Sequence, residues 1–157
     1  MRTNLSKLLV SFFFSIILFS ACKKEKETVT VTNPVYNLRG NANGGQEAPN
    51  RVTTTATGNI TGTYNKDNNT VNYTINWTGL SSNPTAAHFH GAADPGISAG
   101  VQVTFTNFPA TTSGTYSNTV VLTDAQETDF MNGLWYFNIH NTTYTAGEIR
   151  GQIFLTQ

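Results

Sequence analysis

Four stretches of the chain alternate apolar and polar residues with a period of two. Val71, Tyr73, Ile75 and Trp77 alternate with Asn72, Thr74 and Asn76, and Val101, Val103 and Phe105 alternate with Gln102 and Thr104. Further on, Trp135, Phe137 and Ile139 alternate with Tyr136, Asn138 and His140, and Ile149, Gly151, Ile153 and Leu155 with Arg150, Gln152 and Phe154. Successive side chains of a strand point to opposite faces, so each stretch predicts a strand in a sheet packed on one side. Turn formers separate the stretches at Lys66-Asp67-Asn68-Asn69, Ser81-Ser82-Asn83-Pro84, Asp94-Pro95-Gly96 and Thr112-Ser113-Gly114. One segment departs from the period. Thr123-Asp124-Ala125-Gln126 has the form of a capping box, and Gly133 stands where a helix would end. Leu122, Ala125, Phe130 and Leu134 offer it an apolar stripe, so a helix of about two to three turns is predicted there. Short strands without a βαβ rhythm predict an all-β fold, an antiparallel β-sandwich or partly open barrel with one short helix.

The first apolar run belongs to no strand. Arg2 and Lys7 precede a stretch from Leu8 to Phe19 that only Ser11 and Ser15 interrupt. A membrane span needs ~20 apolar residues, and this shorter run has the anatomy of a secretory signal. It ends in Leu18-Phe19-Ser20-Ala21-Cys22. Small residues followed at once by cysteine resemble the lipobox of bacterial lipoproteins. That resemblance implies a thioether-linked diacylglycerol on Cys22, cleavage before it, and acylation of the new amine, typically with palmitate. Cys22 is also the sole cysteine, so the exported domain forms no internal disulfide, and a lipid would remove an otherwise exposed thiol. The expected organisation is a signal peptide over 1–21, a flexible tether over 22–34 and one β-domain over 35–157. The tether joins the charged run Lys23–Glu27 to alternating Val and Thr before Pro34, with nothing to fill a core.

Charge narrows the partners. The precursor is formally neutral, and without its first 21 residues it carries seven basic against nine acidic groups. That balance leaves no electrostatic footprint for nucleic acid. Asn-x-Thr triplets at Asn59, Asn68, Asn72, Asn76 and Asn141 follow from a strand composition rich in Thr and Asn. The expected setting is the cell envelope, with the chain held to the membrane by its N-terminal lipid. No Asp follows Cys22, which favours the outer membrane or cell surface. An extracellular protein or a glycan is the expected partner.

Several short motifs punctuate the domain in order: Gly45-Gln46-Glu47-Ala48-Pro49, Ala87-His88-Phe89-His90-Gly91, Tyr136-Phe137-Asn138-Ile139-His140, and Gly147-Glu148-Ile149-Arg150-Gly151-Gln152. This order is similar to that of the CHRD domain, the module named after chordin. The family pattern has Gln-Glu-x-Pro, His-hydrophobic-His-Gly, Tyr-x-Asn-x-His and Gly-Glu-Ile-Arg-Gly-Gln. The resemblance runs from about Tyr36 to Leu155, with Phe89 where Ile or Val is commoner. It implies an extracellular module and no established reaction.

All three histidines of the chain fall in these motifs. On a strand, His88 and His90 share a face about 6.5–7 Å apart, and His140 lies on a second strand, on the face opposite Trp135, Phe137 and Ile139. If the strands are neighbours, three imidazoles surround one ion, and an open fourth position suits zinc or copper. Asp94 is the nearest spare carboxylate. The alternative is a hydrogen-bonded network of neutral imidazoles tying strands together. Glu148 and Arg150, two residues apart, are expected to share a face in a charge pair or hydrogen-bonded network, with Arg150 bridging strand carbonyls and carboxylates as a structural tie. The alternative makes Glu148 a metal ligand or an acceptor for a histidine N–H. Glu47 and Pro49 are expected to shape the first turn or a strand bulge. Tyr136, Tyr144 and Phe154 are a candidate sugar-stacking surface, or packing pairs.

No Gly-x-Ser-x-Gly elbow, phosphate-binding loop or cysteine nucleophile occurs in the domain. The preferred expectation is therefore a lipid-anchored binding module, not an enzyme, for an extracellular partner or for a metal ion held through its histidines. Two other readings stay open. One is a copper-dependent redox enzyme, since His-x-His with a distant third His is similar to the copper side of Cu/Zn superoxide dismutases. Its bridging histidine, disulfide and arginine-bearing loop have no counterparts here. The other is a structural or adhesive surface domain. The anchor has a direct test: Cys22→Ser abolishes labelling by radioactive palmitate and moves the protein from the membrane to the soluble fraction. Labelling that survives the substitution contradicts the lipobox.

Overall fold

The computed structural model describes residues 34–157; the expected signal peptide, Cys22 and the expected tether up to residue 33 lie outside the described residues. Nine strands and one α-helix follow in chain order. They are β1 (Val35–Asn43), β2 (Thr57–Asn65), β3 (Thr70–Thr78), β4 (Pro84–His90), β5 (Val101–Thr104), β6 (Gly114–Val121), α1 (Asp124–Met131), β7 (Tyr136–Asn141), β8 (Ile149–Gln152) and β9 (Phe154–Thr156).

The strands form one antiparallel sheet in the order β5-β4-β7-β8-β1-β2-β3-β6, with β9 continuing beside β1. The sheet curls until its two ends meet. Tyr73 of β3 packs 4.7 Å from Phe89 of β4, and the Tyr116 hydroxyl of edge strand β6 donates to Thr106 O just beyond edge strand β5 at 3.0 Å. The expected sandwich and partly open barrel thus describe one object, a half-barrel whose halves face across a shared core.

Periodicity explains the core. Val71, Tyr73, Ile75 and Trp77 are all buried, while Asn72 and Thr78 on the other face of β3 stay exposed. Helix α1 closes one end. Thr123 caps it as expected, its side chain accepting from Gln126 N while the Gln126 side chain accepts from Thr123 N, and Gly133 follows with φ +72°. Of the expected stripe, Ala125 is exposed and Phe130 alone is buried within the helix. Phe130 packs edge-on against Tyr64 at 5.4 Å and Trp135 at 5.3 Å. Val101 is also 51 % exposed, because β5 is an edge strand with a register irregularity between Phe89 and His90 of its neighbour.

The main departure from one-sided packing is at β7 and β8. Every residue of both strands is buried except His140, which is half-buried. Their inner side chains enter the apolar core. Of the outer ones, Tyr136, Arg150 and Gln152 are covered by the segment from Gly91 to Gly100, which bonds to them through Ala99, Asp94 O and Ala93 O, and Asn138 bonds to His90 and Ala146 O. The sheet therefore carries a second, polar layer on its outside.

Truncating a fully buried phenylalanine costs about 3–5 kcal/mol, whereas surface changes usually stay within about 0.5 kcal/mol. Phe137 is 0 % exposed and Phe154 is 51 % exposed. In urea unfolding, Phe137→Ala is expected to lose stability in the first range and Phe154→Ala to remain within the second. Equal losses would contradict the placement of the core.

Candidate metal centre

The polar layer is built by strand register. In the β4–β7 pair, His88 lies opposite Asn138, Ala86 opposite His140 and His90 opposite Tyr136, while Ala87, Phe89, Phe137 and Ile139 take the core face. His140 is thus the diagonal neighbour of His88, a separation that ring side chains bridge. The three imidazoles converge. His88 and His140 have ring centroids 5.0 Å apart, His88 and His90 5.4 Å, and His90 and His140 6.2 Å. One nitrogen from each ring can be chosen so that all three lie within 4.8 Å of one another.

Hydrogen bonds orient the rings. His140 Nδ1 faces Thr145 O at 3.0 Å. A carbonyl only accepts, so Nδ1 carries the proton and Nε2 holds the lone pair. That Nε2 lies 3.1 Å from His88 Nδ1. Two nitrogens on a tetrahedral ion with bonds of about 2.0–2.1 Å lie about 3.3–3.4 Å apart, so this pair is already near coordination spacing. His90 is held by Ala99 O at Nδ1 and Asn138 Oδ1 at Nε2, both at 3.0 Å, and its ring stacks on Tyr136 at 4.8 Å. Both oxygens only accept, so a neutral His90 ring hydrogen-bonds one of them; with Nδ1–H given to Ala99 O, the Asn138 amide has to turn its oxygen away before the Nε2 lone pair can bind an ion. Gly91 follows because a Cβ there would lie 2.5 Å from Trp135 Cδ1.

Electrostatics favour the uncharged rings. Burial, then the repulsion of His140 and His90, pushes His88 down to about 4. His90 and His140 are also lowered, in both cases chiefly by burial. Neutral imidazoles are the form that binds metal.

The other expected residues are placed differently. Glu148 stands just before β8, after Gly147 with φ +126°, so strand alternation does not extend to it. Its carboxylate accepts from the Thr54 hydroxyl at 2.7 Å, the Ser81 N–H at 3.0 Å and hydroxyl at 3.0 Å, and the Asn141 amide. It therefore ties the loops of Thr54 and Ser81 to the end of β7 and is hydrogen-bonded to neither Arg150 nor a histidine. Arg150 lies with Cζ 3.5 Å over the Tyr136 ring, and its Nη2 donates to Asp94 O at 3.3 Å and to Gln152 Oε1 at 3.4 Å. The Asp94 side chain is exposed and is not among the clustered ligands. Tyr136 is buried in the stack while Phe154 is exposed on β9, so the alternative of a sugar-stacking trio does not assemble. Sequence reasoning did not assign Asn138 or Thr145 to the site, because both act through contacts that depend on register and loop path.

Burial also shifts two groups beside the histidines, lowering Arg150 and raising Glu47. The rise takes Glu47 to about 7, against the opposing influence of Arg150 and the Ala48 N–H.

A family model described as "CHRD domain" matches residues 38–153. No curated protein and no solved structure matches the chain.

These shifts give a pH signature. A histidine whose folded pKa lies below its unfolded value contributes stability that is full above about 6.5 and lost as pH falls through about 4. Glu47, raised, acts oppositely: its contribution is full below about 4.5 and lost as pH rises through 7. In the metal-free protein the His88 ring resonances are expected to titrate near pH 4. Wild type is expected to lose stability relative to His88→Asn between pH 6.5 and 4. A His88 midpoint near 6.5, with parallel stability profiles, would contradict the buried cluster.

Proposed function

The chain belongs to the CHRD domain family, and we propose that it is a binding module that takes one Zn²⁺ or Cu²⁺ ion on His88, His90 and His140 while tethered to the cell envelope through a lipid on Cys22. The observation that carries the reading is the convergence of three imidazole nitrogens within 4.8 Å on one face of β4 and β7. Their burial supports it, because rings pushed toward the neutral form bind an ion with little competition from protons.

Each ring has a distinct part. His140 offers Nε2, oriented by the Thr145 carbonyl behind it, the outer-shell arrangement that holds a metal-binding ring in one tautomer. His88 offers Nδ1 after moving its proton to Nε2. His90 supplies the third nitrogen once Asn138 yields, and the fourth position stays open to water or a partner's donor atom. Such a site suits two roles: holding a metal at the cell surface, or using it to recognise a ligand that completes the coordination.

His88 is the cleanest position to alter, because its one side-chain hydrogen bond is to His140. Protein dialysed against zinc or copper and analysed for metal is expected to hold one ion per chain. His88→Ala is expected to lower affinity by more than the roughly 10–100-fold cost of removing an outer-shell partner. At a free-metal concentration of about 100 times Kd, wild type alone gains about 2.7 kcal/mol of stability. Substoichiometric metal, or equal binding by the variant, would end the proposal.

A further inference from the structure

Glu47 and Arg150 each retain one buried polar atom without a partner, Oε1 and Nη1 respectively. Arg150 is 1 % exposed and Glu47 6 % exposed. Leaving a buried polar atom unpaired costs about 1–3 kcal/mol, and more when it is charged. Glu47 Oε1 packs against Gly147, which leaves Arg150 Nη1 as the donor with no neighbour to satisfy it.

Both residues line a single cleft of about 330 Å³ between the Gly45–Arg51 segment and the Pro95–Gly96 turn. Arg51, which is exposed, lines the same cleft, as do Pro49, Gly96 and Gln152. No histidine does. Ligand pockets run from about 300 to 1,000 Å³, so this one suits a molecule the size of one sugar or one amino acid. Two guanidinium groups against a single carboxyl favour an anion. Arg150 has already committed Nη2 to Asp94 O and Gln152 Oε1, which leaves Nη1 for the ligand and not the fork of Nη1 and Nη2 together. A dianion such as phosphate would also meet the Glu47 carboxyl. The raised affinity of that carboxyl for a proton lets it donate a hydrogen bond near neutral pH.

We propose that this cleft binds a small monocarboxylate, of the class of uronic acids, hydroxy acids or amino acids. One carboxylate oxygen accepts from Arg150 Nη1, the other accepts from the Glu47 carboxyl, and Arg51 supplies charge at the mouth. The rest of the molecule lies against Pro49 and Gly96. A surface module with this cleft would recognise acidic sugar residues or the carboxyl end of a partner.

The test is a titration of the full ¹⁵N-labelled protein with glucuronate and separately with acetate, at fixed pH and ionic strength, followed by amide shifts. Glucose serves as the uncharged counterpart of glucuronate. Saturable shifts are expected with both carboxylates, confined to residues 45–51 and 94–97 and the Arg150 side chain, with none for glucose. Arg51→Ala, a surface change that leaves the fold intact, is expected to weaken glucuronate severalfold, as loss of an exposed charge partner does. Glu47→Gln, whose amide still donates, is expected to keep binding. Absence of saturable shifts with both carboxylates, equal shifts with glucose, or unchanged affinity in Arg51→Ala would overturn the proposal. His88→Ala is expected to bind glucuronate as wild type does, which separates this cleft from the metal centre.

Discussion

The antiparallel pairing of β4 with β7, in the register that sets His88 against Asn138, is the constraint from which the rest of the site follows. Strand side chains alternate faces, so a slip of one residue would exchange the two sides of β7. His140 would turn into the core and Ile139 out to the polar layer. The apolar side holds that register, since Phe89, Phe137, Ile139 and Ala87 are all fully buried. The hydrophobic effect thus positions the imidazoles without touching them: each core residue buried on one face fixes a polar neighbour on the other.

The polar layer then needs its own cover. The Gly91–Gly100 segment provides it, using backbone groups to meet side chains that the sheet presents. Ala99 O meets His90, Asp94 O meets Arg150, and Ala93 O meets Gln152. Tyr136 joins the parts, with His90 stacked on its ring, Arg150 over the ring at 3.5 Å and its hydroxyl accepting from Ala99 N. The histidine cluster and the proposed anion cleft therefore lie on either side of one stack of rings. Glu148 contributes from the other side, where a fully buried carboxylate gathers Thr54, Ser81 and Asn141 and ties two loops to the end of β7. Its role is structural, since a carboxylate with both oxygens occupied has none left for a metal.

Much of this was legible in the chain because it rests on local periodicity. The strand of Val71 to Trp77, the capping box at Thr123, the turn at Asp94-Pro95-Gly96 and the shared face of His88 and His90 follow from spacing alone. The convergence of His140 was legible only as a condition, because periodicity gives a face but not a neighbour. What stayed hidden has a common cause. Burial on the second face of β7 and β8 comes from a loop that pairs through backbone atoms, which carry no side-chain signature. Glu148 and Arg150 diverge because β8 begins only at Ile149, after the turn of backbone at Gly147, so Glu148 lies outside the strand's alternation. Glu47 was read as a turn residue, and its burial beside Arg150 depends on two segments about a hundred positions apart.

The central claim is that three imidazoles form one coordination sphere, and X-ray absorption at the metal edge tests it most directly. Spectra of the zinc-loaded protein are expected to show a four-coordinate shell with nitrogen at about 2.0–2.1 Å and the outer-shell scattering of three imidazole rings. A shell containing one imidazole or none, completed by water or carboxylate oxygen, would contradict the account and leave the histidines as hydrogen-bonded ties between strands.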